Sequence, residues 1–266
     1  MKENKMGTME VRRLILTMSL PIMISMLVQA LYNIVDSMFV ARVSEAALAA
    51  VSLCYPIQMI MVAVACGTGV GINALLSRYL GEKKQEKASQ VAMHGLFCAI
   101  CNWLVFAVIG LFFSEAFLRL FSDDVQIIMM GISYMQICTI CSFGVFVQIT
   151  YERIMQSTGN TIYNMVIQGV GALINIILDP IFIFGLGPVP ALGTTGAAIA
   201  TVIGQIVAMF LGIIITQKKV REVQLSVRSF HLDGMIMKAM YRIAIPAILM
   251  QSIMSFMTVM MNMILA

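Results

Sequence analysis

The sequence predicts an all-α membrane protein that crosses the bilayer several times. Its 266 residues are 60% hydrophobic and only 11% charged, a balance far more apolar than that of a soluble domain. Long apolar segments alternate with short polar ones, and each has about the 20 residues that an α-helix needs to cross the hydrocarbon core. No segment alternates with a period of two over ten residues, so a helix bundle is the predicted way to satisfy the backbone in lipid.

Seven segments have this length and character: residues 14–40, 49–76, 90–114, 125–150, 160–185, 195–217 and 243–266. Basic residues precede the first segment, as they do in a signal peptide. However, an apolar stretch of about 28 residues without a small-residue cleavage pattern is too long for a signal peptide. The first segment is therefore expected to remain as a membrane anchor.

The basic residues predict an orientation. With the N-terminus in the cytoplasm, 15 of the 17 Lys and Arg residues fall inside, and only Arg42 and Arg119 fall outside. This split follows the positive-inside rule and predicts a multi-pass protein of the plasma membrane with a cytoplasmic N-terminus. Because the basic residues lie between spans rather than along one face, the net charge of +4 does not indicate a nucleic-acid partner.

An internal repeat predicts the domain organisation. Residues 20–41 align with residues 245–266, with Pro21 over Pro246 and Ala41 over Ala266, and a basic stretch precedes the second copy. Six spans per unit would give two parallel repeats. The predicted domains are a six-helix lobe at 1–217, a cytoplasmic inter-lobe linker at 218–241, and the first helix of an incomplete second lobe at 242–266.

Two carboxylates inside spans predict a functional site, because an ionisable group in a bilayer is costly and is retained mainly for function. Asp36 and Asp179 each lie six residues before the outer end of their span, or about 9 Å below the surface. Asn175 shares a helix face with Asp179 one turn away, and Thr201 on the sixth span reaches the same level.

Pro180 adds a predicted helix kink. A proline within a helix cannot donate to the carbonyl four residues back, so the Ile176 carbonyl is freed as a further oxygen ligand. Such an oxygen cluster suits Na⁺, or a proton shared by two carboxylates that repel each other. The alternative is that the two acids only bond to neighbouring hydroxyl groups or cap a bent helix.

Other motifs favour packing over chemistry. Gly67, Gly69 and Gly71 in CGTGVG resemble a nucleotide loop, but no strand precedes them, so close helix packing is the better interpretation. His94 and His231 are expected to be solvated near the membrane surfaces. Two CxxC pairs lie on the third and fourth spans: Cys98 with Cys101, and Cys138 with Cys141. They could meet at comparable depth and hold zinc, but the interpretation of these cysteines as small hydrophobic residues is favoured. No metal beyond the candidate Na⁺ is therefore expected.

Several stretches together resemble the N-terminal lobe of the multidrug and toxic compound extrusion (MATE) family, from about residue 10 to the end. They are LPIMISMLVQALYNIVDSMFVAR, SRYLGEKKQEKAS, ILDPIFIFG and GTTGAAIATVIGQ. The resemblance implies a truncated form of a twelve-helix, two-lobe antiporter that is driven by Na⁺ or H⁺ and exports organic cations and amphipathic drugs. It also assigns ion coupling to the residues that correspond to the family pattern: Asp36, Asn175, Asp179 and Thr201.

Three alternatives remain open at this point. The chain could be an inactive half-transporter or one that needs a separate C-terminal lobe. It could be a lipid-handling flippase of a related fold, although such a protein is expected to carry Lys or Arg inside its spans, and none is predicted there. An enzyme is disfavoured, because no metal-binding His/Glu pattern or activated serine is present.

Overall fold

The structure, a computed structural model, describes residues 9–186, 190–220, 222–225 and 230–265. Over these residues the chain forms eight α-helices and no strand. The helices are α1 (Val11–Ala41), α2 (Glu45–Gly81), α3 (Gln85–Leu118), α4 (Val125–Ile140), α5 (Phe143–Ser157), α6 (Thr161–Phe184), α7 (Thr194–Lys219) and α8 (Gly234–Leu265). Six are long and apolar enough to cross a membrane alone, and α4 with α5 makes a bent seventh candidate. The predicted all-α polytopic fold is confirmed.

The predicted fourth span is broken. Helices α4 and α5 meet at an angle of 42°, where the Thr139 hydroxyl donates to the Met135 carbonyl at 2.7 Å and the Ser142 hydroxyl donates to the Thr139 carbonyl at 2.7 Å. Side-chain hydroxyl groups that bond to helix carbonyls bend helices. Helix α5 then continues past the predicted end at residue 150 to Ser157, which lengthens the polar part of this span.

Helices α2 and α8 pack closely along the CGTGVG stretch. A Cβ atom on Gly67 would lie 2.7 Å from the Ile248 backbone nitrogen, and Gly71 faces the Met240 carbonyl. Both contacts require a residue without a side chain, which is how small residues allow membrane helices to approach. The interpretation of these glycines as packing residues is confirmed.

The start of α8 differs from the predicted linker boundary. Helix α8 begins at Gly234, so residues 234–241 are helical rather than part of a linker at 218–241, and α7 extends to Lys219. Asp233 accounts for the early start, because its carboxylate accepts a hydrogen bond from the Met235 backbone N–H at 2.8 Å, as an N-cap does. The division into two lobes stays a prediction.

His94 is completely buried, so its predicted solvation is wrong. Its Nε2 accepts a hydrogen bond from the Asp233 backbone N–H at 2.9 Å, and its Nδ1 lies 2.7 Å from the Gln90 carbonyl. An amide N–H can only donate, so the imidazole is neutral with the proton on Nδ1. The chain after α7 folds back over α3, where the Ser89 hydroxyl also accepts from the Gln224 N–H, and this fold covers His94.

The bundle has two ends that differ in charge. The basic end comprises residues 78–87, 157–161, 218–220 and 222–225, and the distal end comprises residues 41–45, 118–125 and 185–186 with 190–194. Cys98 packs with Val220 and Met240 towards the basic end, whereas Cys138 packs with Val40 and Leu118 towards the distal end. The two CxxC pairs therefore lie at different depths, contrary to the premise of the zinc alternative. Over the described ranges, no three His, Cys, Asp or Glu side chains are grouped to bind a metal.

The α2–α8 contact gives a stability prediction. Gly67→Ala should lower the melting temperature of the purified protein in detergent, because the added methyl group meets the α8 backbone. Gly81→Ala is the matched control, since nothing lies within 4 Å of its Cβ position and alanine gains up to about 1 kcal/mol of helix propensity. Both melting temperatures are measured by circular dichroism. Equal shifts for the two variants would contradict this account of the packing.

Candidate cation site and adjoining cavity

The four predicted site residues lie on three neighbouring helices. Asp36 is on α1, Asn175 and Asp179 are on α6, and Thr201 is on α7, and α6 packs against both of the other helices. Asp179 is completely buried and Asn175 is 2% exposed. The sequence predicted that these side chains lie at a similar depth, and the structure also places their three helices side by side.

Asn175 connects Asp179 to Thr201 by hydrogen bonds. In the amide orientation that satisfies both of its ends, the Asn175 nitrogen donates to Asp179 Oδ2 at 3.1 Å. Its oxygen accepts from the Thr201 hydroxyl at 3.2 Å and from the Thr201 backbone N–H at 3.1 Å. The amide thus fixes the Asp179 carboxylate against α7 within the protein interior.

Asp36 faces this network without joining its hydrogen bonds. It lies within electrostatic range of Asp179, and Tyr32, one turn earlier on α1, lies within that range of both acids. Asp36 Oδ1 is buried and has no hydrogen-bond partner among the described residues. A buried acceptor without a donor is costly, so this oxygen is suited to bind a cation or a proton.

Pro180 lies inside α6, and the helix continues to Phe184 before Gly185 ends it in the left-handed conformation with φ of 74°. The proline therefore does not terminate the helix. The predicted kink at Pro180, and the role of the Ile176 carbonyl as an oxygen ligand, stay predictions.

A cavity of about 190 Å³ lies beside the network, between α1, α2, α5, α6 and α7. One part of its lining is apolar and the other part is polar, so the cavity is amphipathic. The apolar side chains are Ile22, Met26, Val62, Val145 and Ile149. The polar ones include Gln148, Glu152, Arg153, Asn164, Gln168, Asn175 and Thr201.

Glu152 and Arg153 are interior residues that were not predicted as such. They follow the predicted end of the fourth span, and Arg153 was assigned to a cytoplasmic loop, but α5 carries both of them into the cavity wall. Glu152 is only 4% exposed. A polar stripe on α6 is the signal that could have found this region, because Asn164, Gln168, Asn175 and Asp179 are spaced four, seven and four residues apart and share one helix face.

The chain is similar in sequence to known membrane transporters. Residues 21–181 match the MatE family model. The FAD transporter of Shewanella oneidensis is 30% identical over 199 residues, which cover 75% of this chain and 44% of the relative. The multidrug export protein MepA of Staphylococcus aureus is 26% identical over 249 residues, covering 93% of this chain and 54% of the relative.

Solved structures give the same result. An outward-facing multidrug resistance MATE transporter of the MOP superfamily superposes with a TM-score of 0.89 at 28% identity, over 96% of this chain and 56% of that one. A MOP superfamily transporter from Pyrococcus furiosus gives 0.86 at 28% identity, over 94% and 55%. The chain therefore spans about half the length of the relatives that it matches.

The network gives a second stability prediction. Thr201→Val should lower the melting temperature, because it removes a hydroxyl group that donates to Asn175, and a lost hydrogen bond of this kind costs about 1 kcal/mol. Thr216→Val on the same helix is the matched control, since Thr216 is 2% exposed and its hydroxyl has no partner in the described part of the chain. That control should be neutral or stabilising. A larger loss at Thr216 than at Thr201 would count against the network.

Proposed function

Because the chain belongs to the MATE family of membrane transporters, we propose that it forms a lobe of a cation-coupled antiporter that exports organic cations and amphipathic drugs by alternating access. One observation carries the proposal. The Asn175–Asp179–Thr201 network faces the unpartnered Asp36 oxygen beside an amphipathic cavity. The similarity to a protein named as a multidrug exporter supports the choice of substrate class.

The coupling ion is Na⁺ or H⁺, and the residues that would hold it are Asp36, Asn175, Asp179 and Thr201. Either ion would neutralise the repulsion between Asp36 and Asp179 and favour a closer approach of α1 to α6. When the ion leaves, the repulsion returns and favours separation of these helices. Since Ile22 and Met26 on α1 also line the cavity, a shift of α1 would change the cavity as well. Ion and substrate then each favour a different arrangement through differential affinity.

We also propose that the protein lies in the plasma membrane with its basic end in the cytoplasm. The basic end carries most of the Lys and Arg residues near the helix ends, while Arg42 and Arg119 lie at the distal end. The interior position of Arg153 removes one residue from the cytoplasmic count and leaves its excess intact. This orientation would place the Asp36 and Asp179 site towards the outer surface.

A second lobe is part of this proposal, because the chain spans about half the length of its relatives. One lobe supplies only one side of a path that would run between two. The half-transporter alternative is that the chain needs a separate C-terminal lobe or is inactive. The efflux assay below tests this alternative as well. The flippase alternative gains some support, because Arg153 is a cation within the bundle where none was predicted.

A second candidate substrate is a flavin dinucleotide. It is raised by the relative named as an FAD transporter and by the Arg153 guanidinium, which lines the cavity and suits phosphate groups. The buried Glu152 carboxylate in the same cavity opposes an anion. In the efflux assay below, export of FAD but not of an organic cation would favour this candidate.

Asp36→Asn should abolish ion-coupled efflux while leaving membrane insertion intact, because it removes the charge on which the coupling depends. Efflux of ethidium is measured in cells that produce the chain with a C-terminal MATE lobe as a separate polypeptide, and in cells that produce the chain alone. Asp123→Asn, an exposed acid at the distal end, is the matched control and should transport at the wild-type rate. Full-rate efflux by Asp36→Asn would overturn the coupling assignment, and no efflux by any pairing would favour the inactive alternative.

A further inference from the structure

We propose that Glu152 forms a second site in the cavity that binds the N–H-bearing head group of a cationic substrate, such as an ammonium or an amidinium group. This inference rests on the proposed export of organic cations and names where their charge is recognised. The site is separate from the Asp36 and Asp179 pair. Along α6, Gln168 beside Glu152 precedes Asp179 by eleven residues, which corresponds to about 16 Å of helix rise.

Glu152 is held in place by neutral amide groups. Gln148 donates to one of its carboxylate oxygens at 3.0 Å, and Gln168 donates to the other at 3.0 Å. Asn164 donates to its backbone carbonyl at 3.0 Å. Over the described residues Glu152 makes no ion pair within 4.0 Å. The carboxylate is therefore positioned by hydrogen bonds to neutral amides, and the charge of Arg153 acts on it without forming an ion pair.

Among the described residues, two amide oxygens next to Glu152 lack a hydrogen-bond donor, and the buried Arg153 Nε in the same cavity lacks an acceptor. Asn164 Oδ1 and Gln168 Oε1 are buried without a partner in the described part of the chain, and the amide nitrogens of the same two residues contact Glu152. Asn164 itself is only 2% exposed. Buried acceptors without donors are costly. A group that carries positive charge and several N–H donors would satisfy the carboxylate and these oxygens together.

Arg153 does not supply that group. Its Nη1 donates to Gln156 Oε1 at 2.7 Å, and its side chain packs against Gly69 of α2. The two residues are adjacent on α5, so their side chains leave the helix about 100° apart. The guanidinium therefore bonds to Gln156 rather than to the Glu152 carboxylate, although both Arg153 and Glu152 line the cavity.

The size and lining of the cavity indicate which part of a substrate the site accepts. A volume of about 190 Å³ is smaller than the roughly 300–1,000 Å³ of sites that enclose a drug-sized ligand, so the cavity suits a head group. Its apolar wall, formed by residues such as Met26 and Val145, suits the adjoining ring or chain. A quaternary ammonium group has no N–H, so it cannot satisfy the unpartnered oxygens and should bind less tightly.

Binding of two small probe cations tests the proposal without any ion gradient or transport. Benzamidinium carries N–H donors, and phenyltrimethylammonium is a quaternary cation of similar shape. Titration calorimetry with the purified chain in nanodiscs should show that benzamidinium binds at least about tenfold more tightly than phenyltrimethylammonium. A hydrogen bond to a charged group contributes at least the binding free energy that a tenfold change in affinity requires. Glu152→Gln should remove that preference, and the exposed Glu115→Gln should retain it.

Equal affinity of the wild-type chain for the two cations would overturn the proposal, as would a Glu152→Gln variant that keeps its preference for benzamidinium. Glu152→Asp is a second variant in case Glu152→Gln does not fold. It keeps the negative charge but moves it away from the unpartnered amide oxygens, so it should weaken benzamidinium binding. Because the assay measures binding alone, it can succeed when the efflux assay fails. A binding failure with intact, Asp36-dependent efflux would overturn only the Glu152 site.

Discussion

Polar groups inside a bilayer must find partners within the protein, because the hydrocarbon offers none. In this bundle one face of α6 meets much of that requirement. Asn175 bonds to Asp179 and to Thr201 of α7 near the distal end, and Asn164 and Gln168 bond to Glu152 of α5 near the basic end. The position of α6 between its neighbours follows from these bonds, and the candidate cation site and the cavity are built on the same face.

Helix α1 completes this arrangement from the other side. It contributes few buried side chains, yet it carries Asp36 opposite Asp179 and several residues of the cavity lining. A loosely packed helix can shift at low cost in packing contacts, whereas α6 is held by hydrogen bonds on both sides. The geometry therefore combines α6, which hydrogen bonds hold on two sides, with α1, which buries few of its side chains.

Hydropathy was sufficient to predict the spans, because the bilayer sets the length of each apolar segment. The depth of Asp36 and Asp179 followed from counting residues to the span ends. The α4–α5 bend could not be predicted in this way, since it depends on which carbonyls Thr139 and Ser142 bond to. Glu152 was missed because the predicted span ended where polar residues began, although partners from α6 allow these residues to be buried. His94 was misjudged because its cover comes from residues far away in sequence.

The contact between α2 and α8 has a consequence for motion. At Gly67 and Gly71 the two helices approach backbone to backbone, and His94 ties the start of α8 to α3 through Asp233. The first half of α8 is thus held against α2 and α3. A movement that separates α8 from α2 would first have to break this close contact.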